Sequence, residues 1–276
     1  MKSLTEIISN QIKAWRGRAE PGAYIISYPK SGRTWLRLLL GKVLCDQFQV
    51  DSKHMLDTLR VTTLARVLPT RFTHDGASMR DGCPITELDT SKTEYADKKI
   101  IVLVRDPRDI MVSCYFQATK RIHVYHGPIS EFVRSDNYGI RKCVTFYNIW
   151  SENQALPKGF LAVRYEDMHT NPQGVLKSVL DFLGITNVEP HVMDRAIEFG
   201  RFDNMKKMEA SGKFERQVLK PGNVNDQDSF KVRRGKVGGY ADYLSQEDCQ
   251  YLTDVIAQAD CLFLNRYVHR CMKNVA

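Results

Sequence analysis

No stretch of this 276-residue chain approaches the roughly 20 consecutive apolar residues that a membrane-spanning helix needs. The N-terminal segment MKSLTEIISNQIKAW contains Glu6 and spaces its apolar residues helically, so it does not read as a secretory signal. Seven cysteines are scattered at Cys45, Cys83, Cys114, Cys143, Cys249, Cys261 and Cys271. None forms a CxxC pair, and an odd number makes no disulfide framework. A cytoplasmic protein with reduced thiols is expected. The Walker A pattern, GxxxxGKS or GxxxxGKT, is absent. His123 and His126 stand three apart with no further ligand at metal spacing, so no metal is expected. Without repeats, low-complexity tracts or linkers, residues 1–276 are expected to form one domain.

What is present is positive charge. The formal net charge is +8 beside an ordinary apolar share of 43%. That balance suits an anionic partner: nucleic acid, an acidic surface or a phosphorylated small molecule.

The stretch AYIISYPKSGRTWLRLLL, residues 23–40, gives that charge a location. A short apolar strand turns through Lys30, Ser31, Gly32, Arg33 and Thr34 into a strongly apolar helix beginning at Trp35. Strand, tight turn and helix start present backbone N–H groups and a helix N-terminus to an anion. A lone Lys-Ser-Gly turn would be only a solvated basic loop; the flanking strand and helix favour an anion site.

Residues 1–20 are expected to form an amphipathic helix, ended by Pro21-Gly22. Residues 51–66 read as a helix, 71–74 as a short strand and 75–98 as an irregular polar segment. Ile100–Val104 is a continuous apolar run, as in a strand buried on both faces of a parallel sheet. Arg105-Asp106-Pro107 then opens a helix to about residue 121. A helix is expected over 138–153, a strand at 160–163, and helices at 172–183, 189–199 and 245–258. Residues 210–242 carry five glycines and seven Lys or Arg, a long basic loop of functional length. Strands alternating with helices predict a three-layer α/β fold with a mostly parallel sheet. Ligands in such folds lie beyond the C-terminal strand ends. Lys30, His74, Arg105 and Tyr165 each follow a predicted strand, so the fold would gather them at one edge.

Four segments in this order, YPKSGRTW, VRDPRDIMVSCYF, VRYEDM and RRGKVGGY, resemble the sulfotransferases, most closely the cytosolic enzymes acting on small molecules. Those enzymes use 3′-phosphoadenosine 5′-phosphosulfate (PAPS) and release 3′-phosphoadenosine 5′-phosphate (PAP). The resemblance implies roles for particular residues. Lys30, Ser31, Gly32, Arg33 and Thr34 would hold the 5′-phosphosulfate, with Lys30 steadying the bridging oxygen. Trp35 would stack on the adenine, Tyr165 would contact it and Phe202 would pack near it. Arg105 and Ser113 would grip the 3′-phosphate, and Arg233, Arg234 and Gly235 would close over it. His74 would be the catalytic base. A PAPS site must be basic, and arginine offers the bidentate phosphate recognition that lysine cannot.

The sequence also departs from the family's pattern. Phe72 stands where a lysine is usual, two residues before His74, and the adjacent Arg71 would face the other side of the strand. Arg33 stands where threonine is common. No dimer-forming segment is evident, which leaves the oligomeric state open.

The acceptor is expected beside His74. Asp75, Arg80, Asp81, Gln117, Arg134 and Asp136 suggest polar walls there and a small polar acceptor, including a cationic or amine-bearing natural product of secondary metabolism. A nucleotide kinase-like P-loop protein and a basic nucleic-acid-binding protein are the alternatives. The first lacks its Walker lysine. The second would spread its charges over exposed aromatics rather than gather them at motif positions.

Overall fold

The computed structural model of the chain describes residues 20–80, 82–212 and 219–268. The helix expected over residues 1–20 lies almost wholly outside them. Four strands, β1 (Ala23–Ser27), β2 (Thr70–Thr73), β3 (Lys99–Val104) and β4 (Gly159–Arg164), form one sheet in the order β2-β1-β3-β4. Every pairing is parallel. The register sets Ile26 beside Thr73 and Val102, and Val104 beside Arg164. All four C-terminal ends therefore reach one edge, and the predicted three-layer α/β class is the observed one.

The central strands are apolar because both of their faces are covered. Residues alternate between faces. Ile26, Ile100, Val102 and Val104 pack into one core with α3 (Pro107–Lys120), α4 (Ile129–Arg134), α5 (Ile140–Glu152) and α10 (Gln246–Ala257). Ile25, Ile101 and Leu103 pack into the other with α1 (Arg33–Gln47), α7 (Pro172–Phe182) and α8 (Pro190–Phe199).

Local chemistry sets the boundaries. Asp57 interrupts the helix expected over 51–66: its carboxylate accepts from the Arg60 N–H and caps α2 (Thr58–Leu64), leaving a separate turn at Ser52–His54. Asp106 caps α3, with Pro107 at its first position. Four helices were not expected: α4, α6 (Tyr165–Thr170), α9 (Phe202–Ala210) and the short α11 (Asn265–Val268). α4 and α6 are six residues each, too short for a clear periodicity. The last of these, α11, closes the described chain.

Helix α1 lies against the turn that precedes α2. A Cβ placed on Gly41 would sit 2.1 Å from the Met55 carbonyl oxygen. Glycine to alanine in a helix normally gains about 1 kcal/mol. Gly41→Ala is instead expected to cost about 1–3 kcal/mol through overpacking, seen as a lower Tm in thermal denaturation. An unchanged or higher Tm would mean that α1 does not approach Met55 so closely.

Candidate active site

The β1–α1 turn carries its anion-binding features in the backbone. Lys30 has φ 70° and Gly32 φ 95°. A non-glycine residue in the left-handed region is uncommon and marks a held conformation. Gly32 also lets Tyr165 close in, since a Cβ there would be 2.5 Å from its ring. No side chain caps the first turn of α1, so its N-terminal N–H groups face the loop. Ser31 is fully buried, with its hydroxyl 3.1 Å from the Tyr147 hydroxyl. It braces the turn from beneath rather than lining the cavity above it.

Arg105 follows β3. Its Nη1 donates to the Lys30 carbonyl at 2.9 Å, tying the end of β3 to that of β1. Its guanidinium lies 4.1 Å over the Tyr165 ring, a cation–π contact with the residue that follows β4. Lys30 Nζ donates to Gln117 Oε1 at 3.3 Å, and burial lowers its pKa to about 8. Ser113 lines the cavity from α3.

Trp35, Tyr165 and His169 form a cage of rings. The Trp35 ring is 4.8 Å from His169 and 6.0 Å from Tyr165, edge to face in both cases. The indole Nε1 of Trp35 and the Nε of Arg105 are buried without hydrogen-bond partners. Unsatisfied donors of that kind are costly and point to an absent acceptor. His169 was missed in the sequence; its signal was the spacing of four from Tyr165, which puts both on one face of α6.

His74 follows β2. Its Nδ1 is 2.8 Å from the Ser27 carbonyl. A carbonyl only accepts, so Nδ1 carries the proton and Nε2 the lone pair. Burial, then the positive charges of Arg33, Lys231 and Arg37, push its pKa down to about 3.

The basic C-terminal segment folds back over these strand ends. Asp109 accepts from the N–H groups of Gly238 at 2.8 Å and Tyr240 at 3.0 Å. Glu209 accepts from those of Lys231 and Val232. Arg233 lies 3.9 Å over the Phe116 ring and donates to the Tyr243 hydroxyl. Arg234 pairs with Asp242 at 2.9 Å and is more exposed. Gly235 packs on the ring of Phe202.

One open cavity of about 960 Å³ unites these parts. Lys30, Gly32, Arg33, Thr34, Trp35, His74, Arg105, Ser113, Tyr165, Phe202, Arg233, Arg234 and Gly235 all line it. Of the sequence-predicted site residues only Ser31 stands behind the wall. Among the described residues, twelve lysines and arginines line the cavity against Asp109 and Asp203. That excess fits a polyanion, and the ring cage with its unpaired indole N–H fits a nucleobase.

Two charged residues next to the site are internal. Arg108 and Asp109 are both buried: Arg108 is held by Asp106 and the Tyr267 carbonyl, Asp109 by the closing segment. The expected polar acceptor wall is only partly found: Arg80 and Gln117 line the cavity, whereas Asp75, Arg134 and Asp136 do not. The Asp75 side chain is largely covered and engaged by Lys92 at 2.8 Å, Tyr95 at 2.8 Å and Trp150 at 3.0 Å. Asp136 is exposed and does not line the cavity, Arg134 is drawn off to Asp248, and Asp81 lies outside the described residues.

The site and the fold agree with what the chain resembles. The family described as the sulfotransferase domain matches residues 20–260. Flavonol 3-sulfotransferase of Flaveria bidentis is 23% identical over 87% of this chain and 82% of its own length. Sulfotransferase 2A6 of Rattus norvegicus is 26% identical over 74% of each. Among solved structures, mouse sulfotransferase SULT7A1 complexed with PAP covers 92% of this chain and 87% of that one, with TM-score 0.59 and 20% identity. Retinol dehydratase in complex with retinol and PAP covers 87% of this chain and 82% of that one, with TM-score 0.61 and 19% identity. The nucleotide-kinase alternative is thereby set aside, and the chain belongs to the sulfotransferases, the PAPS-dependent enzymes of sulfuryl transfer.

Proposed function

We propose that this chain, as one sulfotransferase domain, moves the sulfuryl group of PAPS to a hydroxyl or amine of a small polar acceptor, with PAP as by-product. The carrying observation is the convergence of Lys30, His74, Arg105 and Tyr165, from four strand ends, on one strongly basic cavity. The structural relatives bound to PAP, and to retinol in one case, support a nucleotide donor and a small-molecule acceptor rather than nucleic acid. The reading includes a cytoplasmic role in secondary metabolism; among the described residues no helix is long and apolar enough to cross a membrane.

Each residue then has a task. The turn at Ser31–Thr34 and the start of α1 hold the 5′-phosphosulfate through backbone N–H groups. Lys30 donates to the bridging oxygen as negative charge builds there. Arg105, Ser113, Arg233, Arg234 and Gly235 take the 3′-phosphate, the arginines by bidentate bonds. Trp35, Tyr165 and Phe202 hold the adenine. His74 Nε2 accepts the acceptor's proton. Positioning and positive charge are the main catalytic contributions, as in phosphoryl transfer.

The Phe72 departure also has a reading. Arg71 is exposed, whereas the Arg37 guanidinium lies 4.6 Å over the Phe72 ring. Arg37 and Arg33, rather than Arg71, supply positive charge near His74.

Calorimetric titration without metal is expected to show tight binding of PAP and much weaker binding of ATP. Arg105→Ala should weaken PAP by about ten- to a hundredfold, the worth of a charge-assisted phosphate contact. Preference for ATP, or indifference to Arg105→Ala, would overturn the donor assignment.

The two perturbed groups set the pH profile. His74 is neutral well above its pKa of about 3, so kcat/KM should show no break near the usual histidine range. Lys30, lowered to about 8, is charged below that pH and loses its proton above it. Activity is therefore expected to fall as pH rises through about 8, and Lys30→Arg should move that limb upward. His74→Ala should cost about 10²–10⁴ in kcat while PAP still binds. An acidic limb near pH 6.5 would place His74 in an ordinary solvated setting.

A further inference from the structure

His74 stands one residue past the end of β2, an edge strand of four residues that pairs with β1. So short a ladder does not by itself aim a side chain beyond it, and a general base needs one aim. The turn that follows is built to supply it. The Ala77 N–H donates to the His74 carbonyl at 3.0 Å. The two residues between, Asp75 and Gly76, are both left-handed, with φ 47° and 78°. Asp-Gly is a pair that such a turn favours. The Asp75 N–H also donates to Thr73 Oγ1 at 3.0 Å.

The turn alone does not require a buried carboxylate. No atom lies within 4 Å of a Cβ built on Gly76, so the loop has room on its outer side. The Asp75 side chain is nevertheless 8% exposed and takes three donors. Oδ1 accepts from the Tyr95 hydroxyl, and Oδ2 faces Trp150 Nε1 and Lys92 Nζ. Lys92 is 2% exposed and also donates to the Asp89 carbonyl at 2.6 Å. The Tyr95 and Trp150 rings meet edge to face at 5.3 Å inside the core beside α5. Stability alone does not call for this cluster, because a buried ion pair is often no better than apolar residues of the same volume. What it adds is direction. It ties the residue after His74 to α5 and to the Thr93–Tyr95 turn, while the His74 ring meets the Ser27 carbonyl at the end of β1.

We propose that Asp75 is the positioning residue of His74: anchored by Lys92, Tyr95 and Trp150, it holds the imidazole against the Ser27 carbonyl so that Nε2 is presented to the acceptor. This deepens the reading of His74 as the base and rests on it. Asp75 itself touches no reacting atom, and its action is geometric.

The test is nitrogen NMR of isotope-labelled histidine in the PAP-saturated protein, with calorimetric titration of PAP on each variant. The His74 signals are those missing from His74→Ala. In the wild type, whose His74 pKa lies at about 3, one Nδ1–H tautomer is expected, with ring-nitrogen shifts far apart and constant between about pH 5 and 8. Asp75→Gly permits the left-handed backbone and removes the anchor. There the two shifts should converge, as in a ring that samples both tautomers, while PAP affinity is unchanged. Arg33, Arg37 and Lys231 face the ring in every variant, so they do not account for a difference. Asp75→Asn keeps the shape, and its amide can serve all three partners, so the wild-type pattern should return. Asp75→Gly with Lys92→Met repeats the test without an unpaired buried ammonium, should that charge prevent folding. A wild-type pattern in folded Asp75→Gly, or its loss in Asp75→Asn, would overturn the proposal. Failure of the wild type to bind PAP would instead remove the donor assignment, and the His74 signals would still decide the positioning.

Discussion

An all-parallel sheet forces its strands to end together, and that constraint decides where this protein concentrates charge. Lys30, His74, Arg105 and Tyr165 are spread over 136 positions of sequence, yet each is the first to third residue past a strand end. Because β3 is covered on both faces, the strand itself offers no polar surface. Binding chemistry is left to the C-terminal edge and its loops.

At that edge acids and bases have different jobs. Asp109 and Glu209 are buried and the Asp75 side chain is largely covered, and their oxygens are used on backbone N–H groups or fixed side-chain partners. They hold loops in place. The lysines and arginines that line the cavity outnumber the acids there, although Arg121, Arg233, Arg234 and Lys236 are themselves paired at its rim. Such a surface favours a polyanion, and its donors are held in place before one arrives. The left-handed Lys30, the unpaired Trp35 indole N–H and the unpaired Arg105 Nε belong to the same arrangement. Each is unfavourable without a ligand, and all three adjoin the one cavity.

The parts that could be read from sequence share a cause: they depend on neighbours in the chain. Ala23–Ser27 and Ile100–Val104 are apolar runs of strand length, so the central strands were visible. The phosphate turn was visible because strand, Gly32 and helix are consecutive. Where packing overrode composition, the reading failed. Arg108 and Asp109 look solvated in sequence, yet each is buried against partners far along the chain: Tyr267 for one, Gly238 and Tyr240 for the other. Asp75 beside His74 looked like part of an acceptor wall, and a buried contact with Lys92 and Trp150 turns it inward.

By itself the sequence determined the α/β class, the basic character of the site and the residue types at each strand end, since these follow from periodicity, turn chemistry and motif order. Only the tertiary structure decided which charges face the same space. It set Arg37 over Phe72, drew His169 into the ring cage, left His74 with Nε2 as its free base, and turned Asp75 inward. The physical reason is that local spacing fixes which element a residue occupies, whereas a charge's effect depends on burial and on partners a hundred residues away.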